Sequence, residues 1–383
     1  MIASAQALGR FVPISCRFEK RKNPTVTEKV LAAVIFLVGC AYETDFADCT
    51  VRCSAEIGCP ADLTCDAEKF CRSPIATSTC VLENGPMSCI VLAETCGPNN
   101  NEDCCSTGTQ IPGGNFFRSF DVASDAMYAS MNNPATVSPF ALDRFEVTVG
   151  RFRQFVEGGA RATHANPPND NASARPLNGL SAQGGWDPGW NANLVADTNT
   201  LLAALKCDAA QSWTDSPGAN EDLPINCVTW FEAFAFCAWD GGFLPTETEW
   251  NFAAVGGDEQ RAYPWSSPPS STTIDCSFAN YNNAGYCTEP PNGAVSHVGS
   301  SSKGDSKYRQ ADLAGNVFEW VLDGFSPLGE TCNDCANLSS TSSRVLRGGG
   351  WDNQSTDVRT NFRFDRPPTF RHRAVGIRCA RYL

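Results

Sequence analysis

Histidine is scarce in this chain, with three in 383 residues: His164, His297 and His372. They stand too far apart to form an i,i+4 pair on a helix, and no carboxylate joins them in a metal-binding pattern, so a histidine-based metalloenzyme is not expected. Hydrolase signals are missing as well, since neither a nucleophile elbow nor a Ser, His and Asp set in triad order occurs. Basic residues are outnumbered, 29 Lys and Arg against 42 Asp and Glu. Six of the basic ones (Arg10, Arg17, Lys20, Arg21, Lys22, Lys29) fall in residues 1–39, leaving 23 against 40 in the remainder. Such a field repels phosphate backbones, and nucleic acid is excluded as an expected partner. Long amphipathic periodic runs are also few, while Gly and Pro number 31 and 24. That balance argues against a helix bundle or doubly wound sheet and for a loop-rich α+β protein.

What is present begins with a leader. The basic stretch is followed by "VLAAVIFLVGC", Val30–Cys40, whose apolar run has the length of a signal-peptide core and falls short of the ~20 residues of a membrane span. "LVGC" resembles the lipobox of bacterial lipoproteins, in which the cysteine is acylated and becomes the mature N-terminus. Residues 1–39 are therefore expected to be an export signal, Cys40 the lipid-bearing residue and 40–48 a linker. More than twenty residues precede Lys29, which is long for such a leader. By the same resemblance, Ala41 after the cysteine favours the outer membrane of a Gram-negative cell envelope.

Setting Cys16 and Cys40 aside, eighteen of the twenty cysteines remain, ten between Cys49 and Cys105 and eight between Cys207 and Cys379. Even sets in an exported chain imply disulfides. The segment 49–105 is expected to be a stapled spacer in which bridges replace a hydrophobic core, with the adjacent Cys104 and Cys105 bonded to different partners. Zinc binding is the alternative for this spacing, disfavoured in an oxidising compartment.

From Ile111 to Leu383 the composition turns aromatic and amphipathic. "TWFE" (Thr229–Glu232) is a capping box that starts a helix carrying Trp230, Phe234 and Cys237 and stopping at Gly241. "TETE" (Thr246–Glu249) repeats the device, with Gly256 and Gly257 as the stop. A third helix is expected over Val149–Glu157, before Gly158; the rest reads as short strands and turns.

Three stretches carry chemistry: "GGFLPTETEWNFAAVGG" (Gly241–Gly257), "DLAGNVFEW" (Asp312–Trp320) and "RVLRGGGWDN…VGIRC" (Arg344–Cys379). In "DLAGNVFEW" two carboxylates flank a glycine turn, which supplies the oxygen ligands that a hard cation such as calcium takes; the same acids also suit capping of turns. In this order, and with "ALDRFEVTVGRF" (Ala141–Phe152), the motifs resemble the formylglycine-generating enzyme family, also called sulfatase-modifying factors, over about 240 residues. The resemblance implies a C-type-lectin-like fold, mixed α/β and rich in coil. It implies a structural calcium held by Asp312, Glu319 and the carbonyls of Gly315 and Val317. A second family calcium site would use Asn280 and Tyr281, but its acidic partner is not recognisable here. It also implies a disulfide between Cys237 and Cys379.

Oxidising members of that family bind copper with two cysteines after the glycine motif and convert a substrate cysteine to formylglycine. Aligned on Gly348 and Gly349, those positions are Asn353 and Val358 here, and the serine usual after the glycines is Gly350. Copper(I) demands soft thiolates, which neither Asn nor Val replaces, so no copper and no such oxidase activity are expected. Cys207 with Cys227, Cys276 with Cys287 and Cys332 with Cys335 look like short loop staples. The last, "CNDC", has redox-motif spacing but lies in a polar loop without a βαβ context, which favours a structural bridge. The polar run from Asp352 to Arg359 suits hydrogen-bonded recognition, with Trp351, Asn353 and Arg359 facing a ligand, and equally suits a solvated loop. Two function classes follow. One is a non-oxidase binding or scaffold module with a protein or glycan ligand; the other is an enzyme of the same family with altered chemistry.

Overall fold

The computed structural model describes residues 64–65, 71–72, 86–89, 95–123, 130–158, 162–285, 287, 294–329, 331–339 and 342–383. The export leader, Cys40 and the 40–48 linker lie outside the described residues. The short strands β1 (Thr64–Cys65) and β2 (Cys71–Arg72) pair antiparallel within the cysteine-rich segment.

The helices start where side chains can satisfy the free N–H groups of a first turn. α1 (Val149–Glu157) begins at Thr148, whose hydroxyl accepts the Arg151 N–H, and ends at Gly158, whose N–H returns to the Gln154 carbonyl. α2 (Thr198–Ala204) is capped by Asp197. It was not expected from the sequence, because its seven residues show too little periodicity to stand out. α3 (Trp230–Trp239) and α4 (Glu247–Ala254) each carry a complete capping box, Thr229 with Glu232 and Thr246 with Glu249. All of α4, and α3 from Trp230 to Cys237, are buried, so these helices are held by packing on all sides.

The remaining strands are short: β3 (Gly114–Phe117), β4 (Pro134–Val137), β5 (Ala141–Leu142), β6 (Arg175–Leu177), β7 (Leu180–Gln183), β8 (Phe318–Gly324), β9 (Cys332–Asn333), β10 (Arg344–Arg347), β11 (Phe364–Arg366), β12 (Val375–Gly376) and β13 (Ala380–Arg381). The central sheet runs β11-β10-β8-β12, antiparallel except for the β8/β12 pair. Every residue of β8 is buried. Its alternation sends Phe318, Trp320 and Leu322 into an aromatic core with Trp186, Trp230 and Phe234, and Val321 into a second core with Trp250 and Phe252. Trp320 and Trp230 donate their indole N–H groups to the Val228 and Val321 carbonyls, so neither ring is buried with an orphan donor. β5 pairs with β13, bringing the start of the domain beside its C-terminus, and the Cys237–Cys379 disulfide ties α3 to that same end.

The boundary drawn from the sequence at residue 105 does not match the packing. Cys104 bonds Cys96 and Cys105 bonds Cys89, and the first pair packs against Phe145, Val298 and Ala311. Glu102 pairs with Arg144 at 2.8 Å, and the Ser88 N–H reaches Asp240 at 2.7 Å. Residues 86–89 and 95–105 thus belong to the domain, which cysteine density alone does not reveal.

Asp240 leads into a fully buried ionic network. Arg151 from α1 meets Asp240 at 2.6 Å and Asp143 at 3.0 Å, while Arg381 from β13 meets Asp143 at 2.6 Å and Asp240 at 2.7 Å. Burial pushes the Asp143 carboxyl up, but Arg381 and Arg151 outweigh it and hold the group below its ordinary value. A carboxylate with a depressed folded-state pKa contributes stability that is present above its unfolded value of about 3.9 and lost as pH falls through the folded one. Removing one guanidinium leaves a buried charge uncompensated. We therefore expect Arg151→Met to cost about 3–5 kcal/mol in denaturant unfolding at pH 7 and to weaken the acid dependence of stability below pH ~4. Equal stability of variant and native chains at neutral pH would show that the network contributes nothing.

Candidate functional site

β10 delivers the chain into Gly348, Gly349 and Gly350. Gly348 and Gly349 have φ of +90° and +71°, a left-handed backbone that glycine adopts without strain. A Cβ on Gly349 would stand 2.6 Å from Val358 Cγ1, and one on Gly350 would stand 2.8 Å from the Ala374 Cβ. Real atoms do not approach so closely, so position 350 has no room for a serine hydroxymethyl group without displacing the chain around Ala374.

The following turn is closed by Asn353. Its side-chain oxygen accepts the Gly350 N–H at 3.0 Å, its own N–H donates to the Gly350 carbonyl, and its carbonyl accepts from Asn282. Val358 is fully buried in an apolar cluster with Tyr263, Ala279, Tyr281 and Ala314. The three positions aligned with the copper site are thus, respectively, a sealed backbone contact, a turn-closing amide and a packed isopropyl group. No soft donor stands among them. Every cysteine from Cys89 onward is in a disulfide, including Cys207–Cys227, Cys276–Cys287 and Cys332–Cys335. The residues present do not fit copper.

Of the trio expected from the sequence to face a ligand, Trp351 is excluded by burial. Trp351 is 0% exposed, packed with Val295, Val317 and Ala374, and its ring lies 4.9 Å from the Arg373 guanidinium. A residue so enclosed cannot meet a ligand. Asn353 closes its turn, and Arg359 is directed to the buried Asp121, 3.5 Å away. Only Gln354 and Thr356 in this run are well exposed. Two surface grooves lie elsewhere: one of about 260 Å³ lined by Phe116, Phe117, Met131 and Cys332, the other of about 420 Å³ lined by Asn132, Phe325 and Arg363.

The 312–319 loop is wound tightly, with Asp312, Gly315 and Asn316 all at positive φ. Gly315 is required there, since a Cβ would lie 2.3 Å from the Asn280 carbonyl oxygen. Asp312 accepts the Gly299 N–H at 2.5 Å. Glu319 accepts Arg378 Nε and Nη2 on one oxygen, at 2.9 and 2.7 Å, and the Trp250 indole on the other at 2.6 Å. Beside them Glu146 accepts from the Val317 N–H and the Asn316 amide. Burial pushes the Asp312 carboxyl up to about 6, with Asp305 and Glu319 adding to it against the Gly299 N–H and Arg378. Burial also raises Glu146 well above its ordinary value, with Asp312 and Glu319 adding repulsion and Arg378 opposing.

Three buried carboxylates therefore face one buried guanidinium. That excess of negative charge fits a divalent cation at Asp312 and the loop carbonyls. Glu319 could join only by sharing oxygens already held by Arg378 and Trp250, and among the described residues no three His, Cys, Asp or Glu side chains converge on a metal-sized point. Asn280 Oδ1 is buried without a hydrogen-bond partner, while its amide nitrogen donates to the Ala294 carbonyl. Sequence reading passed over Glu146 and Arg378. Each is a charged residue between apolar neighbours in a short extended stretch, "FEV" and "IRC", a pattern that survives burial only when the charge is paired.

Residues 94–383 match the family model described as "sulfatase-modifying factor enzyme 1-like domain". An inactive C-alpha-formylglycine-generating enzyme 2 of Mus musculus is 29% identical over 279 residues, which span 70% of this chain and 84% of that protein. A formylglycine-generating enzyme of Streptomyces coelicolor is 27% identical over 297 residues, spanning 71% of this chain and 88% of that one. Overall likeness thus barely separates a relative named as inactive from one named as active. Among solved structures, PvdO from Pseudomonas aeruginosa superposes with a TM-score of 0.50 at 20% identity, over 73% of this chain and 95% of PvdO, a likeness of fold. With three quarters of its length covered by one family model and a loop-rich α+β fold to match, this chain belongs to the sulfatase-modifying factor enzyme 1-like family.

Proposed function

We propose that this protein is a non-oxidase member of its family, an envelope lipoprotein whose domain serves as a binding or scaffold module for a protein or glycan ligand. The observation that carries this reading is the sealed state of the positions aligned with the copper site: Gly350 has no space for a side chain, and Val358 fills an apolar cluster. A thiolate pair would supply copper(I) affinity and the exchange of substrate sulfur onto the metal; an amide and an isopropyl group supply neither. Purified protein incubated with copper, reductant, oxygen and a CxPxR-type peptide is expected to leave the thiol intact by mass spectrometry. Aldehyde above the enzyme-free control would overturn the reading.

Anchoring rests on "LVGC" and the basic leader, with Cys40 as the acylated residue. Cys40→Ser is expected to move the protein from the membrane fraction to the soluble one and to abolish the lipid mass on the mature N-terminus. Unchanged retention would count against the anchor.

The excess negative charge around Asp312, Glu146 and Glu319 supports a structural calcium held by Asp312 and the Gly315 and Val317 carbonyls, with Glu319 shared between the ion and Arg378. Such an ion would act by neutralising the buried carboxylates and fixing the loop. An ion bound to the native state alone stabilises by about 2.7 kcal/mol at a hundredfold excess over Kd. Calcium should therefore raise the melting temperature of chelator-treated protein, and Asp312→Asn should blunt that rise. A melting temperature indifferent to both calcium and chelator would remove the ion from the account.

A further inference from the structure

The spacing of Cys332 and Cys335 alone suits a loop staple, but their surroundings point further. β9 pairs in parallel with β4, which sets Cys332 in the wall of the groove of about 260 Å³, with Cys335 outside that lining. Cys332 is 3% exposed and Cys335 is partly exposed, so Cys335 is the more accessible residue of the pair. The Arg118 guanidinium, itself 8% exposed, stands with Nη1 3.6 Å from Cys335 Sγ, and its Nη2 is fixed by the Gly329 carbonyl at 2.7 Å. The Thr248 hydroxyl, in the first turn of α4, lies 3.6 Å from both sulfurs. Glu247, Asp323 and Arg363 also face Arg118, and Glu247 is bound by Arg363 through both oxygens. A staple would gain little here. The bond closes a sequence separation of 3, against 142 for Cys237–Cys379, and short loops remove the least entropy from the unfolded chain.

A fixed cation beside a sulfur favours thiolate over thiol, and stabilising the reduced pair makes the disulfide a stronger oxidant. We propose that Cys332–Cys335 is a redox-active pair that takes two electrons from a dithiol polypeptide reaching the exposed side of Cys335. One thiolate of the partner attacks Cys335 Sγ; the Cys332–Cys335 bond breaks, and Cys332 leaves as a thiolate that is then protonated, with the Thr248 hydroxyl as its hydrogen-bond donor until then. The partner's second thiolate then attacks its own sulfur in the mixed disulfide and expels Cys335 as a thiolate beside Arg118. The partner ends with a disulfide, and this chain with a dithiol. Arg118 is a positioning residue in this scheme, acting through the sulfur it faces.

The test uses the full chain equilibrated in dithiothreitol redox buffers, then alkylated and read cysteine by cysteine by mass spectrometry. Cys332 and Cys335 should become reduced while Cys237–Cys379 and Cys207–Cys227 stay oxidised and circular dichroism is unchanged. Arg118→Met should shift the exchange equilibrium toward the disulfide about tenfold, ~30 mV for this two-electron couple, and should raise the pH at which Cys335 is alkylated. Arg118→Lys should restore most of both. Reduction only together with the other bridges, or only with loss of the fold, would make the pair a staple and overturn the proposal; the native chain decides this even where the Arg118 variants do not fold. An unchanged equilibrium in a folded Arg118→Met protein would overturn the role given to the guanidinium.

Discussion

The buried pair of Arg378 and Glu319 holds together segments that are far apart in sequence. Arg378 has five N–H donors, and all are used: Nε and one Nη2 hydrogen on Glu319, Nη1 on the Asp143 and Arg144 carbonyls, and the other Nη2 hydrogen on the Ala311 carbonyl. One side chain thereby joins the segment between β5 and α1, the 311–317 loop, the central strand β8 and the C-terminal segment. Glu319 in turn reaches α4 through Trp250. A buried ion pair adds little net stability over an apolar replacement, but losing one partner costs several kcal/mol, so the pair fixes which segments meet more than how tightly they hold. Separating the two would leave a buried charge unanswered.

The same logic explains which features could be read from the sequence. Capped helices are local, since Thr229 with Glu232 and Thr246 with Glu249 satisfy N–H groups within their own turns, and α1 ends at a glycine for a reason equally local. Their bounds were legible for that reason. The family resemblance was legible because its motifs are spaced turns and strands whose glycines have steric causes, as at Gly315 and Gly349. Trp351 was misread because a tryptophan in a glycine-rich turn meets solvent or core according to what packs on it, and Val295, Val317 and Ala374 come from three other segments. The role of residues 86–89 and 95–105 was hidden for the same reason: Ser88 and Glu102 find their partners, Asp240 and Arg144, only across the fold.

The glycine turn carries no soft metal ligand and packs like the core around it. A cleft that holds a metal carries polar groups and space, both of which cost stability. Here the space beside Gly350 is taken by Ala374, the amide of Asn353 is spent on the turn, and Val358 adds apolar contact to Tyr263 and Tyr281. Each of the three residues is thus engaged in an internal contact. The turn then resembles the rest of the core in its chemistry.

The organising interactions of the fold lie away from this turn. The Arg151, Asp143, Asp240 and Arg381 network, the Arg378–Glu319 pair and the aromatic core around Trp230 and Trp320 use no residue of the glycine turn. The glycine turn is separate from these interactions, whereas Glu319 belongs both to the pair with Arg378 and to the candidate cation site. The strands away from the turn keep rigid edges that do not depend on Gly350, Asn353 or Val358. The groove between β3, β4 and β9 meets that condition: it is walled by strands, flanked by a fixed arginine and open at Met131, and it owes nothing to the sealed turn.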